Sequence, residues 1–456
     1  MTHNKDGNVM SISNGAKLSY GIGALGKDLA CSIIYIYLMY YYTDVVGLEA
    51  AFVGTLFLVA RIWDTFNDPI MGMIVDNTRS RYGKFRPWIV IGTLINSVVM
   101  VAVFFTHEFE GTALYIYTAI SYILWGMTYT IMDIPYWSLI PALTSNKKER
   151  EQIVVIPRLF ASFAWFVMGA FGMKAIDILG DGDSGAGFAK VSMIIAVLFI
   201  LSALLTAWKV KEDSAIATKV SEKINFKDVK AIIFQNDQLK ALIGIVLCFN
   251  LAMQLAGSFA IYYFTYAMGD KDMFAVFMGF AGSAEIMGLV LFPLIVSKLS
   301  RPMIWRLACV FPLMSYVILL LAGHFIPENT LLIGIAGAAM KFGSGFALAM
   351  STLMLADVVD YGEYKMGMRS ESVVFSVQTM LVKAASAFAG FLTGIGLTIV
   401  GYVPNTVQSE STVLGMQVLM LGIPSLLICM SYLIYKSRYK LNGKFHDEVL
   451  AALGRA

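Results

Sequence analysis

Twelve apolar stretches of about twenty residues or more recur along this chain, and no other feature constrains its fold as tightly. They fall at roughly 18–45, 51–76, 87–106, 112–141, 153–176, 188–208, 239–268, 272–297, 303–325, 330–356, 371–401 and 412–436. A helix rises about 1.5 Å per residue, so each stretch can cross the ~30 Å hydrocarbon core of a bilayer. Within that core every backbone N–H and C=O must be satisfied by the protein itself, which leaves helices or a closed barrel. No window sustains the two-residue alternation of a barrel strand. An all-α polytopic membrane protein with twelve transmembrane helices is therefore predicted. Of the 456 residues 58% are hydrophobic and 14% charged, against about a quarter charged in soluble domains.

Loop charges orient the spans. Arg79, Arg81, Lys84 and Arg86 follow span 2, Lys147, Lys148 and Arg150 follow span 4, and six lysines from Lys209 to Lys230 follow span 6. Lys298, Arg301 and Arg306 separate spans 8 and 9, Lys365 and Arg369 follow span 10, and Lys436, Arg438, Lys440 and Lys444 lie in the tail. The alternate loops GLEA, HEFEG and YVPNTVQSES contain no Lys or Arg; the loop between spans 5 and 6, with Lys174 and Lys190 at its edges, is an exception. The positive-inside rule puts both termini in the cytoplasm. The polar opening MTHNKDGNVMSISNGAK lacks the apolar core of a cleaved signal, so membrane insertion is expected to rest on the first span. The net charge of +3 adds little to this.

The basic segment 209–238 separates an N-terminal six-helix bundle, 1–208, from a C-terminal one, 239–436, with a cytoplasmic tail at 437–456. Part of that segment, INFKDVKAIIF, has the pattern of a helix lying on the membrane surface. Two sets of six spans fit a transporter with its site between the halves near the midplane. A channel or a polytopic enzyme can also have twelve. Cys31, Cys248, Cys309 and Cys429 are scattered through the spans, with no metal or redox spacing, and read as small packing residues.

The charged residues within the spans narrow the function. In span 2, RIWDTFNDPI places Asp64, Asn67 and Asp68 on one helical face. They offer only hard oxygen ligands, which suit a small cation. A carboxylate at mid-bilayer costs ~2.5–3.5 kcal/mol on the insertion scale. The structural alternative is an ion-pair staple, with Arg61 as a candidate partner. In span 4, WGMTYTIMDIPYW aligns Thr130, Asp133 and Trp137 on one face. A carboxylate beside an indole suits a sugar, the acid accepting hydroxyl hydrogen bonds while the ring covers the C–H face; a capped kink at Pro135 is the alternative. Lys27 and Asp28 in span 1, Lys341 in span 10 and Lys383 in span 11 are further mid-span charges. They are expected to balance the acids around a wet cavity, whereas Arg158 lies close enough to the end of span 5 to snorkel.

RIWDTFNDPIMGMIVDNTRSRYGKFRPW, together with YGIGALGKD, WGMTYTIMDIPYWSL and SVQTMLVK, closely resembles the glycoside–pentoside–hexuronide:cation symporter family. The resemblance begins near Ser11 and covers most of the chain. It implies the major facilitator fold and secondary active uptake of a galactoside-type disaccharide such as melibiose, driven by sodium or by protons or lithium. The family's cation site falls on Asp64, Asn67, Asp68 and Thr130. Its sugar site falls on Lys27, Asp28, Asp133, Trp137 and Arg158, with Lys383 near both sites and Gln378 and Thr379 as further sugar candidates. The implied partners are a small sugar, a monovalent cation and membrane lipid, with no nucleic acid and no cofactor. A monomer in the bacterial inner membrane is expected to suffice.

The chain also departs from the family pattern. Leu348 stands where melibiose-transporting members have a tryptophan, and Glu285 and Lys341 stand where asparagines are expected. Similar depths in spans 8 and 10 predict an ion pair between these two; an unpaired Lys341 would instead suit an anionic hexuronide. The loop DNTRSRYGKFR lacks the strand and helix of a phosphate-binding loop, and its charges are expected to pair with Asp357, Asp360 and Glu363 of ADVVDYGEYK. A membrane enzyme acting on glycosides would use the carboxylates as an acid–base pair, but Asp64 and Asp68 share one helix in an oxygen-rich set, and no extramembrane catalytic domain is evident.

Overall fold

The computed structural model describes residues 12–143, 147–212, 235–367 and 371–453. All regular structure among these is helical. Twelve long helices succeed one another: α1 (Asn14–Tyr40), α2 (Ala50–Asp76), α3 (Arg86–Val103), α4 (Gly111–Leu143), α5 (Lys147–Gly180), α6 (Ser184–Lys209), α7 (Asp237–Tyr262), α8 (Asp272–Val296), α9 (Arg301–Phe325), α10 (Thr330–Met366), α11 (Glu371–Ile399) and α12 (Glu410–Arg438). Among the described residues ten of them are long and apolar enough to cross a membrane. The other two are α2 and α4, the helices that carry Arg61, Asp64, Asp68, Thr130 and Asp133. A thirteenth helix, α13 (Lys444–Ala452), lies in the tail. The predicted surface helix at 224–234 lies outside the described residues.

Helix starts follow local chemistry. The side chains of Ser13, Asp183, Asn236 and Asn329 each accept a backbone N–H of the first turn that the helix itself leaves unsatisfied. Pro87 and Pro302 stand in the first turns of α3 and α9, where a missing N–H costs nothing. Helix α4 runs through Pro135 without a break.

The chain divides into two compact units, Met1–Leu48 with Val59–Ser221 and Glu49–Leu58 with Glu222–Ala456. The first turns of α2 therefore group with the second unit. In the first unit α1 packs on α5 and α6, and α3 on α4 and α6. In the second, α7 packs on α11 and α12, and α9 on α10 and α12. The same set of helix pairs thus occurs twice.

The ends of α1 and α7 repeat in detail. Each helix passes into a π turn, Tyr41–Val45 or Tyr263–Ala267. Each then turns at a glycine with positive φ, 81° at Gly47 and 78° at Gly269, a conformation other residues adopt only with strain. The first tyrosine of each turn donates its buried hydroxyl to a backbone carbonyl, Tyr41 to Phe104 and Tyr263 to Leu319, both at 2.9 Å. The segments YYTDVVG and YFTYAMG carry this repeat.

Each of the two charged loops has described partners within its own unit. The basic loop after α2 is tied to the chain leaving α6: Phe85 N donates to Glu212 Oε1 at 3.2 Å, and Arg86 Nε donates to the Ala207 carbonyl at 2.5 Å. Asp357 is buried within the second unit, where Arg301 and His446 pair with it and the Tyr439 hydroxyl donates to it at 3.3 Å. Charge and topology alone could not select among these groups, and α13, which delivers His446, was not anticipated.

Candidate functional site

Helices α1, α4 and α5 build the first cluster. Lys27, 4% exposed, reaches between two carboxylates, with Nζ 3.2 Å from Asp28 Oδ2 and 3.0 Å from Asp133 Oδ1. A buried ammonium is stable only when so paired. It also lies 5.1 Å from the Trp137 ring centroid, 5.6 Å from that of Tyr136 and 5.8 Å from that of Tyr129, within cation–π range. The backing is rigid: Tyr20 and Tyr136 stack at 4.5 Å, and each donates its hydroxyl to the other's backbone carbonyl at 2.6 Å. Trp137 meets Tyr136 edge to face at 5.5 Å. The Asp133 side chain keeps 29% of its surface accessible. The cluster thus offers carboxylate acceptors, an ammonium donor and an indole face, the groups that bind sugar hydroxyls and a sugar's C–H face.

Two members were not singled out from the sequence. The Trp165 indole N–H donates to Asp28 Oδ1 at 3.3 Å. Cys31, read as a packing residue, lies beside Tyr129 and Lys27. Cys31 is one turn from Lys27 on α1, and that spacing was the available signal. Trp165 on α5 had none, because its contact with Asp28 is purely tertiary.

The second cluster joins α2 to α4. Thr130 Oγ1 donates to Asp68 Oδ1 at 3.1 Å. Asp64, 6% exposed, pairs through Oδ2 with Arg61 Nη1 at 2.8 Å. The staple considered as the structural alternative is therefore present, alongside the oxygen set. Asp64 Oδ1 points toward Gly126, where a Cβ would lie only 3.2 Å from it, so glycine leaves that oxygen clear. The buried amide nitrogen of Asn67 has no hydrogen-bond partner among the described residues. Turning the amide by 180° exchanges nitrogen for oxygen, so Asn67 can present a ligand. The set of two carboxylates, an amide and a hydroxyl fits a hard monovalent cation. Along α4, Thr130 faces Asp68, and Asp133, about one turn on, faces Lys27.

The other predicted residues are carried by α5, α8, α10 and α11. Arg158 is on an exposed face of α5, with no ion pair among the described residues. Lys383 and Gln378 are on α11, both partly buried; Gln378 borders a small apolar cavity with Leu239, Leu242, Val246 and Leu355. The Thr379 side chain lies outside the described residues. Lys341 on α10 pairs with Glu285 on α8 at 3.2 Å, as their matching depth predicted. Leu348, two turns further along α10, is 41% exposed.

Twelve long helices, helix pairings that occur twice, and two polar clusters among α1, α2, α4 and α5 define a membrane carrier of the major facilitator fold. Solved structures agree: the inward open xylose transporter XylE from E. coli superposes with a TM-score of 0.64 over 96% of this chain and 98% of that one, at 13% identity. The chain belongs to the family described as MFS/sugar transport protein, whose model matches residues 19–443. It is a sugar transporter of that family and not an enzyme. Among relatives, an uncharacterized symporter YjmB of Bacillus subtilis is 28% identical over 96% of this chain and 94% of its own length. The raffinose carrier protein of Pediococcus pentosaceus is 27% identical over 97% of this chain and 72% of its own length.

Proposed function

We propose that this protein is a symporter that couples inward flow of a monovalent cation, sodium in the first instance, to uptake of a neutral galactoside-type disaccharide such as melibiose. The observation that carries the reading is on α4, where consecutive turns face two chemically different sets: Thr130 meets Asp68, and Asp133 meets Lys27. Asp64, Asn67, Asp68 and Thr130 take the cation. Lys27, Asp28, Asp133 and Trp137 take the sugar, with Arg158, Gln378 and Thr379 completing its site and Lys383 serving both. A bound cation fixes α4 and relieves repulsion among the acids, so it raises sugar affinity. The two bundles, 1–208 and 239–436, alternate access to the site, with both termini on the cytoplasmic side of the inner membrane and a monomer as the working unit.

Two observations support a neutral sugar. Lys341 is already paired with Glu285, which leaves less positive charge for a hexuronide. A relative over nearly the whole chain is a raffinose carrier, and raffinose is a neutral galactoside. The test is counterflow in membrane vesicles with labelled melibiose, raffinose and glucuronides, each in sodium, lithium or acidic choline buffer. Sodium-stimulated exchange of a neutral galactoside is expected. Exchange stimulated only by acid assigns the proton instead, and preference for a glucuronide refutes the neutral substrate.

A further inference from the structure

Helices α3 and α9 hold the same place in the two sets of helix pairs, and both open on Arg-Pro, Arg86–Pro87 and Arg301–Pro302. The two arginines are matched differently. Arg301 forms an ion pair with the buried Asp357 of α10. Arg86 is held by backbone instead: Nε donates to the Ala207 carbonyl near the end of α6, and Nη1 donates to the Tyr82 carbonyl at 3.2 Å. Among the described residues its guanidinium makes no ion pair. Glu212 is near enough to be acted on by the Arg86 charge, but its Oε1 accepts the Phe85 N–H.

This unmatched guanidinium stands at the end of a seam between two membrane-crossing helices. Helix α3 packs on α6, and each shows an exposed apolar row at helical spacing, Ile91, Ile95 and Val98 on α3 and Val197, Leu201 and Leu204 on α6. The α6 row ends at Trp208, 66% exposed, and Lys209 Nζ lies 4.1 Å from the centre of its ring. Indoles at the ends of membrane spans sit at headgroup level. Lys211 is exposed two residues further on, and neither lysine has an ion pair among the described residues. The bond from Arg86 to Ala207 brings the start of α3 to these residues.

We propose that this end of the α3–α6 seam is a binding site for an anionic phospholipid of the surrounding membrane. The lipid phosphodiester gives Arg86 the negative charge that Asp357 gives Arg301. With two donors fixed on backbone carbonyls, the guanidinium keeps its remaining N–H groups for phosphate oxygens, which suit its planar fork. Lys209 adds a second positive charge, and the acyl chains run along the apolar rows. A zwitterionic lipid carries its own cation beside the phosphate, so the site favours a headgroup without one. The bound lipid ties the start of α3 to the end of α6.

The test reconstitutes the full-length protein in phosphatidylcholine vesicles containing a minor fraction of lipid brominated on its acyl chains, either phosphatidylglycerol or phosphatidylcholine. Bromine quenches an indole that it touches, and comparison with Trp208→Phe isolates the Trp208 signal. Half-maximal quenching is expected at about tenfold less phosphatidylglycerol than phosphatidylcholine, and each cation removed, by Arg86→Gln or Lys209→Gln, is expected to shrink that preference about fivefold. Lys209 is exposed, so Lys209→Gln decides the matter if Arg86→Gln does not fold. Lys436→Gln, which removes an exposed cation at the matching end of α12, is expected to leave the preference intact. Equal quenching by the two lipids, an undiminished preference in folded Lys209→Gln, or an equal loss in Lys436→Gln overturns the proposal. Loss of the preference on adding glycerol phosphate at matched ionic strength also overturns it, and makes the ligand a free phosphate ester.

Discussion

Replacing Glu285 and Lys341 one at a time strands a charge; replacing both removes the problem. The two groups lie 3.2 Å apart, with 24% and 30% of their side-chain surfaces accessible. At that distance, in an effective dielectric of about 20, the Coulomb attraction is about 5 kcal/mol. Water reaching a quarter or more of each side chain screens much of it. The remaining coupling lies between the ~0.2–1 kcal/mol of exposed pairs and the ~3–5 kcal/mol lost on breaking a buried one, so about 1–3 kcal/mol is expected. Glu285→Asn and Lys341→Asn should each destabilise the purified protein by roughly that amount, and the double variant should recover to within about 1 kcal/mol of the native protein. Thermal unfolding in one detergent, together with the amount of protein reaching the membrane, gives the four corners of the cycle. Additive losses, with a coupling below about 0.5 kcal/mol, refute the reasoning. So does a harmless Glu285→Asn beside a Lys341→Asn that selectively loses an anionic sugar.

The other expectations concern the sugar cluster and the loop after α2. Asp133→Asn should weaken sugar binding much more than cation binding, whereas equal losses in the two titrations would move Asp133 out of the sugar site. Trp137→Ala should weaken sugar binding roughly tenfold or more, since a ring contact contributes about 1–3 kcal/mol. Trp165→Phe keeps the ring and removes the N–H given to Asp28, a bond worth about 1 kcal/mol, so sugar affinity should fall about fivefold with the cation response retained in calorimetric titration. Gly83, at φ 108° and with Glu212 Oε1 only 1.8 Å from where a Cβ would sit, should not tolerate alanine, and a lower transition temperature for Gly83→Ala checks this. Burial holds the Glu212 carboxyl above the ordinary carboxylate range, against the opposing pull of the Phe85 N–H. Its contribution to stability is therefore present at acid pH and lost as pH rises through that raised value, and Glu212→Gln should flatten the slope.

How much was legible in the sequence depended on the range of the interaction. Spans were legible because length and hydropathy are local. The split of α4 was legible because Thr130 and Asp133 are three residues apart on one helix, and their spacing alone sends them toward neighbouring turns of other elements. The Glu285–Lys341 pair was legible because two opposite charges at one depth are each costly alone. Partner choice was not. Asp357 had several cations within plausible reach, and only the fold of α13 brings His446 to it. Arg61 and Asp64 were legible as a possible pair, but nothing in their spacing indicated that Tyr35 would support the guanidinium from another helix. Trp165 was invisible for the same reason: an indole among apolar neighbours on α5 carries no local sign of a carboxylate on α1.

The two tyrosine turns that end α1 and α7 are each anchored on a backbone carbonyl. Every residue has a carbonyl, so positions 104 and 319 can mutate without removing the acceptor that Tyr41 and Tyr263 need. An anchor of this kind does not require coordinated change in its partner. It lets two copies of one half drift far apart in sequence, one filling with charges and the other with apolar residues, while both keep the same joint. Of the repeat, YYTDVVG and YFTYAMG retain the aromatic pair, the threonine and the glycine, whereas the helices they terminate have diverged: Asp28 in α1 has Asn250 at the matching distance before its tyrosine in α7. Divergence in chemistry with permanence in geometry is what an asymmetric site assembled from a duplicated scaffold requires, and the choice of a main-chain acceptor is sufficient to permit it.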